Sequence, residues 1–278
     1  MSEPLLMGIV NATPDSFSDS QGEKSLATLV ERAHELAAAG AAIVDVGGES
    51  GRTDRPAIPV EEERARVVPL IERLAADGLS VSVDTWRAPV ARAALDAGAS
   101  MVNDVSALSD VDVADACAEA DAQLVITHTR VPPKVKAFPD YPDVVADVID
   151  LLHERAEVAV ERGVGEERLI FDPGIDLAKS PAESVEVLRR LPEVVELGRP
   201  LLVGVSRKDF VGALTGRGPA ARDAGSLAAL GVAADAGAHI LRVHDVAAAR
   251  DYLAVRAALA NGAARELELD ADLRREPV

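Results

Sequence analysis

The sequence predicts a single-domain α/β fold, a (β/α)8 TIM barrel. Eight short apolar segments rich in β-branched residues, helix-period stretches between them and a polar residue closing each of the eight carry that reading. Several of the segments are nearly continuous apolar runs, as parallel strands covered on both faces require. An open doubly wound sheet also alternates strands and helices, but the first strand-to-helix turn carries no GxGxxG.

The segments justify themselves in order. LLMGIV (5 to 10) ends at Asn11 and opens into ATPDSFSDS; SLATLVERAHELAAAG follows with helical spacing and stops at glycine. AIVDV (42 to 46) contains Asp45 and runs into a loop with Glu49, Arg52 and Arg55, then into the helix VEEERARVVPLIERLAADG. LSVSVD (79 to 84) closes on Asp84, MVNDV (101 to 105) on Asn103 and Asp104, QLVITH (123 to 128) on His128, and RLIFD (168 to 172) on Asp172. PLLVGVS (200 to 206) leads into Ser206, Arg207 and Lys208. AGSLAALGVAADAGAHIL reads as a buried helix entering HILRVH (239 to 244), which closes on Arg242, His244 and Asp245. Residues 1–260 are assigned to the barrel. The charged, aperiodic stretch 261–278 is assigned to a solvated tail.

Bulk properties narrow the function. The 278 residues carry 29 basic and 47 acidic side chains, a net charge of −18 that argues against a broad nucleic-acid or anionic-membrane footprint. A local cluster of Arg and Lys still permits an anionic small substrate. One cysteine, Cys117, rules out an intrachain disulfide and reads as a small buried residue. The N-terminus has no basic segment before its short apolar run, so the expected location is the cytoplasm.

In a barrel the C-terminal ends of the strands share one face, where polar residues converge. A single Asp or Asn there is ordinary turn chemistry, whereas eight polar ends with no matching series at the strand starts mark an active face. Asp84, Asn103 and Asp172 suit a planar heterocycle bearing N–H and carbonyl groups. Arg242 and His244, with Arg207 and Lys208 next door, form an anion site; the competing reading is an ion pair with Asp245 or an acid of a neighbouring loop. His34, His153 and His239 read as packing or surface residues. No zinc spacing, GxSxG, HExxH or P-loop is present, and a hard cation such as Mg²⁺, held mainly by substrate phosphate oxygens with help from Asn11, fits the pattern.

The ordered motifs GIVNATPDSFSD, DVGGESGR, SVDT, VND, DPG, VGVSRKDF and RVHDV, spanning residues 8 to 245, resemble the dihydropteroate synthase family. The resemblance implies a (β/α)8 barrel, usually a homodimer, that joins hydroxymethyl-dihydropterin diphosphate to p-aminobenzoate in folate biosynthesis. It implies that Asp84, Asn103, Asp172 and Lys208 hold the pterin. Asn11, Arg242 and His244 would bind the diphosphate and its Mg²⁺. Asp19 and Phe17 in the first loop and Arg52 in the second would order around the reactive centre, with Asp19, Arg52 and Lys208 as catalytic residues.

Departures cluster on the acceptor side. Gly51 and Thr53 stand where the family's GESTRPG has Thr and Pro, Asp176 and Leu177 replace a Gly and an aromatic in the segment after DPG, and Asp209 replaces the Ser after SRK. Gly51, Arg52, Thr53, Leu177 and Asp209 thus define an atypical p-aminobenzoate subsite, with reduced sulfonamide sensitivity as one expectation. Asp209 would repel an acceptor carboxylate unless Arg52 or Arg55 compensates. Two alternatives share these features: a paralogue using another acceptor, and a pterin-binding module without transfer activity.

Overall fold

A computed structural model describes residues 3–13, 26–51 and 53–261. Eight parallel strands, β1 (Leu5–Asn11), β2 (Ile43–Gly47), β3 (Val81–Asp84), β4 (Met101–Asp104), β5 (Gln123–Thr127), β6 (Leu169–Asp172), β7 (Leu202–Val203) and β8 (Ile240–Val243), pair in the order β6-β5-β4-β3-β2-β1-β8-β7. The two ends of that order meet through one bridge, Phe171 with Leu201, where the Phe171 N–H donates to the Pro200 carbonyl at 2.9 Å. The result is a barrel with a seam between β6 and β7. β7 is shorter than its apolar run implies, because its pairing with β8 stops at Val203 opposite Leu241 and the chain leaves the ladder for the barrel mouth.

Ten helices are described: α1 (Leu26–Ala38), α2 (Val60–Ala76), α3 (Ala88–Asp96), α4 (Asp112–Glu119), α5 (Val144–Glu161), α6 (Pro181–Arg189), α7 (Leu191–Val195), α8 (Asp209–Thr215), α9 (Asp223–Asp235) and α10 (Val246–Asn261). Local chemistry accounts for their starts. Three glutamates, 61 to 63, occupy the first turn of α2, where the helix dipole favours negative charge. Asp143 caps α5 by accepting from Val145 and Ala146 N–H. Ser180 and Glu183 form a reciprocal capping box at α6, with Pro181 at its first position. None of the described helices is long and apolar enough to cross a membrane.

Two apolar layers separate inside from outside. The barrel interior holds Met7, Ile43, Met101, Val125, Ile170, Leu202 and Ile240, and a larger cluster, including buried Cys117, fills the space between strands and helices. Side chains alternate along a strand with a period of two. Two residues beyond the interior layer, the same face therefore carries Asp45, Asn103, Thr127, Asp172 and Arg242, one polar layer stacked on one apolar layer.

Candidate active site at the barrel mouth

That alternation sorts the polar strand ends, so the expectation that all of them converge on one cleft is corrected. Asp104 lies one residue off the inward face; it is fully buried and accepts from Ser106 N–H and Oγ and from Leu108 N–H, serving the turn after β4. His128 also turns outward. Asp245 accepts from Ala248 N–H at the start of α10, and Arg207 pairs with Asp223 at 2.8 Å. Each side chain has a structural partner of its own.

The inward residues form a charged lattice. Arg242 donates from Nε to Asp45 Oδ2 at 2.6 Å and from Nη2 to Asp84 Oδ2 at 2.7 Å, so its partners are strand acids and not Asp245. Asn103 Nδ2 donates to Asp45 Oδ2 at 3.2 Å. Asp45 is completely buried, and its Oδ1 and that of Asn103 are buried with no hydrogen-bond partner among the described residues. Buried acceptors of this kind are costly unless a ligand N–H meets them.

Burial pushes the Asp84 carboxyl up to about 7, against the pull of Arg242 and helped by the charge of Asp45. Burial also works against the Arg242 cation, but Asp45 and Asp84 outweigh it and hold its pKa above the usual range. Asp172 is raised by burial against the Gly174 N–H and Lys208, while Lys208 is lowered by burial against Asp176 and Asp172. His244 is brought down to about 4 by burial and then by Arg242; its Nδ1 lies 2.9 Å from Ser206 Oγ. At neutral pH its ring is uncharged. Asn11 stands exposed at the end of β1, beside Gly47 of β2.

A second buried network supports this face and was not legible as part of the site. Lys179, 2% exposed, donates to the carbonyls of Gly174 (2.9 Å) and Leu177 (3.2 Å) and meets His128 Nδ1 at 2.7 Å; His128 Nε2 lies 2.8 Å from Asp147. These contacts fold the turn after β6 onto the end of β5. Gly174 permits it: φ is 66°, and a Cβ there would stand 2.0 Å from the His128 carbonyl oxygen. Burial lowers Lys179 to about 7 and His128 to about 3. The signal was a lone lysine in the small, mostly apolar run GIDLAK. Asp45 left a signal too, an acid inside the apolar run AIVDV.

The acceptor-side residues fall apart by environment. Asp19 and Arg52, with Phe17, lie outside the described residues. Gly51 is exposed, with no atom of the described residues within 4 Å of where a Cβ would be, and Thr53 is exposed. Glu49, just before, accepts from Ile58 N–H at 3.3 Å and pairs with Arg87 (2.8 Å) and Lys134 (3.1 Å), while Lys134 also donates to the Ser50 carbonyl. Arg87 bridges Glu49 to buried Glu63. The base of the second loop is thereby tied to the loops after β3 and β5. Leu177 is half-buried in the turn that Lys179 holds. Asp209 corrects the expectation of an uncompensated acceptor-side charge: its carboxylate pairs with Arg222 at 2.8 Å and is 82% exposed.

Comparison with known proteins agrees with this geometry. Residues 7–244 match the family described as pterin binding enzyme. Dihydropteroate synthase of Escherichia coli strain K12 is 41% identical over 88% of each chain. A probable bifunctional folylpolyglutamate synthase/dihydropteroate synthase of Haloferax volcanii is 42% identical over 96% of this chain, which spans only 32% of that relative. Dihydropteroate synthase of Xanthomonas albilineans superposes with a TM-score of 0.87 in its structure with 4-aminobenzoic acid (47% identity, 93% of each chain). In its complex with 7,8-dihydropteroate the score is 0.85 (46% identity, 93% of this chain and 94% of that one). A barrel with its polar layer at the strand ends and this degree of likeness leave one conclusion: the chain belongs to the pterin-binding enzymes of the dihydropteroate synthase family.

Proposed function

We propose that the protein joins 6-hydroxymethyl-7,8-dihydropterin diphosphate to p-aminobenzoate, releasing pyrophosphate. The lattice of Asp45, Asp84, Asn103 and Arg242 at the mouth of a family barrel is the observation that carries the reading. Asp84, Asn103 and Asp172 hold the pterin through acceptors that meet its ring and amino N–H groups, and Lys208 donates to it. Asn11, Arg242 and His244 face the diphosphate. Asp19 and Arg52 complete the reactive centre from the two loops.

The C–O bond between the pterin methylene and the diphosphate breaks, the electron pair leaves with pyrophosphate, and the arylamine nitrogen forms the new C–N bond and then loses a proton. Arg242 stabilises the charge developing on the leaving group, and the electron-rich pterin stabilises the methylene cation. The protein supplies no nucleophile; it positions the partners and excludes water. His244 enters as a neutral ring able to donate one N–H to a phosphate oxygen.

Among the described residues no cluster of three or more His, Cys, Asp or Glu side chains could hold a metal by itself. The exposed amide oxygen of Asn11 at the end of β1 fits as a protein ligand to a Mg²⁺ that arrives on the diphosphate. When bound, that ion neutralises charge on the leaving group. A cytoplasmic homodimer is the working assembly; exposed Val232, Val255 and Leu259 on α9 and α10 support an apolar contact face.

The test is turnover of the two substrates with Mg²⁺ by purified protein. Dihydropteroate at rates comparable with a reference enzyme is expected, and its absence under conditions where the reference works overturns the reading. The exposed Gly51 and Thr53 favour a second reading, a different acceptor amine; pyrophosphate release that requires some other amine would establish it.

A further inference from the structure

We propose that Asp176 is a positioning residue for Lys208, strapping the turn after β6 to the turn after β7 and so fixing where the Lys208 ammonium stands at the barrel mouth. Only the consequence for turnover rests on the pterin role given to Lys208 above.

Asp176 has a φ of 61°, a left-handed conformation that glycine takes freely and aspartate at a cost. Its side chain accounts for its presence there. Oδ2 accepts from the backbone N–H groups of Asp209 and, at 3.4 Å, Phe210, the two residues that follow Lys208. From the other side Arg222 Nη1 donates to the carbonyls of Arg207 (2.9 Å) and Lys208 (3.1 Å) and pairs with Asp209. Gly212 makes room, since a Cβ there would stand 2.3 Å from Arg222 Nη2. The 207–210 segment is gripped by an acid in front and an arginine behind. Two departures from the family pattern, Asp176 and Asp209, are thus halves of one device.

Its location gives the strap a purpose. β6 and β7 share a single bridge, so little sheet pairing fixes the end of β7 relative to Asp172 on β6. The Asp176 bonds cross that seam at its upper end. Electrostatics act in the same direction. Burial disfavours the Lys208 cation; Asp176, then Asp172 and Asp84, favour it, Arg242 opposes it, and Lys179 and His244 are further basic neighbours. No cation lies within ion-pair distance of Asp176 among the described residues, and its Oδ1 is buried without a hydrogen-bond partner. The carboxylate acts on Lys208 through space.

The test compares Asp176→Asn, which keeps an acceptor of the same shape, with Asp176→Gly, which suits the backbone. Titration of the Lys208 ammonium in ligand-free protein is followed by NMR of lysine Nζ, assigned with Lys208→Arg. Both variants should lower its pKa relative to wild type. The alkaline limb of kcat/KM for pterin diphosphate should move to lower pH, with a loss of about tenfold on that limb and no more than about twofold change in KM for p-aminobenzoate. On the acid side of that limb, where the lysine is charged, Asp176→Asn should recover and Asp176→Gly, lacking the strap, should not. An unmoved Lys208 titration, with both variants merely less stable, overturns the proposal. If wild type makes no dihydropteroate, the NMR comparison alone decides it, and the functional reading fails separately.

Discussion

Arg242 Nη2 and Asp84 Oδ2, from residues 158 apart in sequence, meet at 2.7 Å, and the same guanidinium reaches Asp45 at 2.6 Å. One cation thus ties β8 to β2 and β3 at the barrel mouth. Removing one partner of a buried pair leaves the other charge uncompensated, which costs about 3–5 kcal/mol. Arg242→Ala should therefore lower stability by at least about half that range, because the arginine retains some solvent contact. It should also lower kcat/KM by on the order of 100-fold or more if Arg242 meets the leaving group. Denaturant melts and pyrophosphate calorimetry check the two effects separately. Full pyrophosphate affinity in the variant would remove Arg242 from the anion site.

Asp84 and Lys179 bend the stability profile in opposite directions. The Asp84 carboxyl titrates near 7 in the folded chain and near 3.8 unfolded, so its contribution is present at low pH and is lost as pH rises through that window. Asp84→Asn should flatten this fall, so that its melting temperature relative to wild type in ligand-free protein is higher at pH 8 than at pH 4 by a few degrees, on the order expected for about 1 kcal/mol, whatever constant cost the loss of the Arg242 pair adds at both. An equal shift at both pH values would contradict the assigned titration.

Lys179 is the reverse case. Its folded pKa is about 7 against 10.5 unfolded, so the unfolded chain binds more protons between those values and stability gains from this group as pH rises through them. Lys179→Met should remove that gain, and it should weaken pterin binding because the Gly174 and Leu177 carbonyls lose their common donor. Stability curves from pH 6 to 10 check the first effect and pterin calorimetry the second. An unchanged slope would show that the lysine is not the titrating group.

Among the described residues nothing stands within 4 Å of a Cβ at Gly51, so Gly51→Thr meets no clash with them. Combined with Thr53→Pro it restores the family's loop residues, and it should lower KM for p-aminobenzoate and tighten sulfonamide inhibition several-fold with little change in melting temperature. Steady-state kinetics with both ligands decide this. No change in either would move the acceptor difference elsewhere.

Ser180→Ala removes half of the capping box at α6 and should cost about 1 kcal/mol without changing KM, as denaturant unfolding and kinetics will show.

Much of this was legible in the sequence because it follows from repetition. All eight strands came from local apolar pattern, and Asp84, Asn103, Asp172 and Arg242 from their positions at strand ends. The exceptions have physical causes. Asp104 and His128 look like their neighbours in sequence, but strand alternation turns them outward, and that parity shows only once the interior layer of Ile43, Met101 and Val125 is known. Lys179 and Arg222 act through backbone carbonyls, which leave no mark on the residues they bind. The partner of Asp209 lies thirteen positions away, just before α9, beyond any local pattern.

The seam between β6 and β7 has one more consequence. A ring that meets at a single residue is close to a sheet rolled until its margins touch, and amides along those margins should exchange with solvent sooner than those of β1 or β2, which are paired along their length. Asp172 stands on one margin and Lys208 follows the other. If the margins part, Asp172 and Lys208 part with them, so an occupied mouth should slow exchange along the seam more than along β1 or β2.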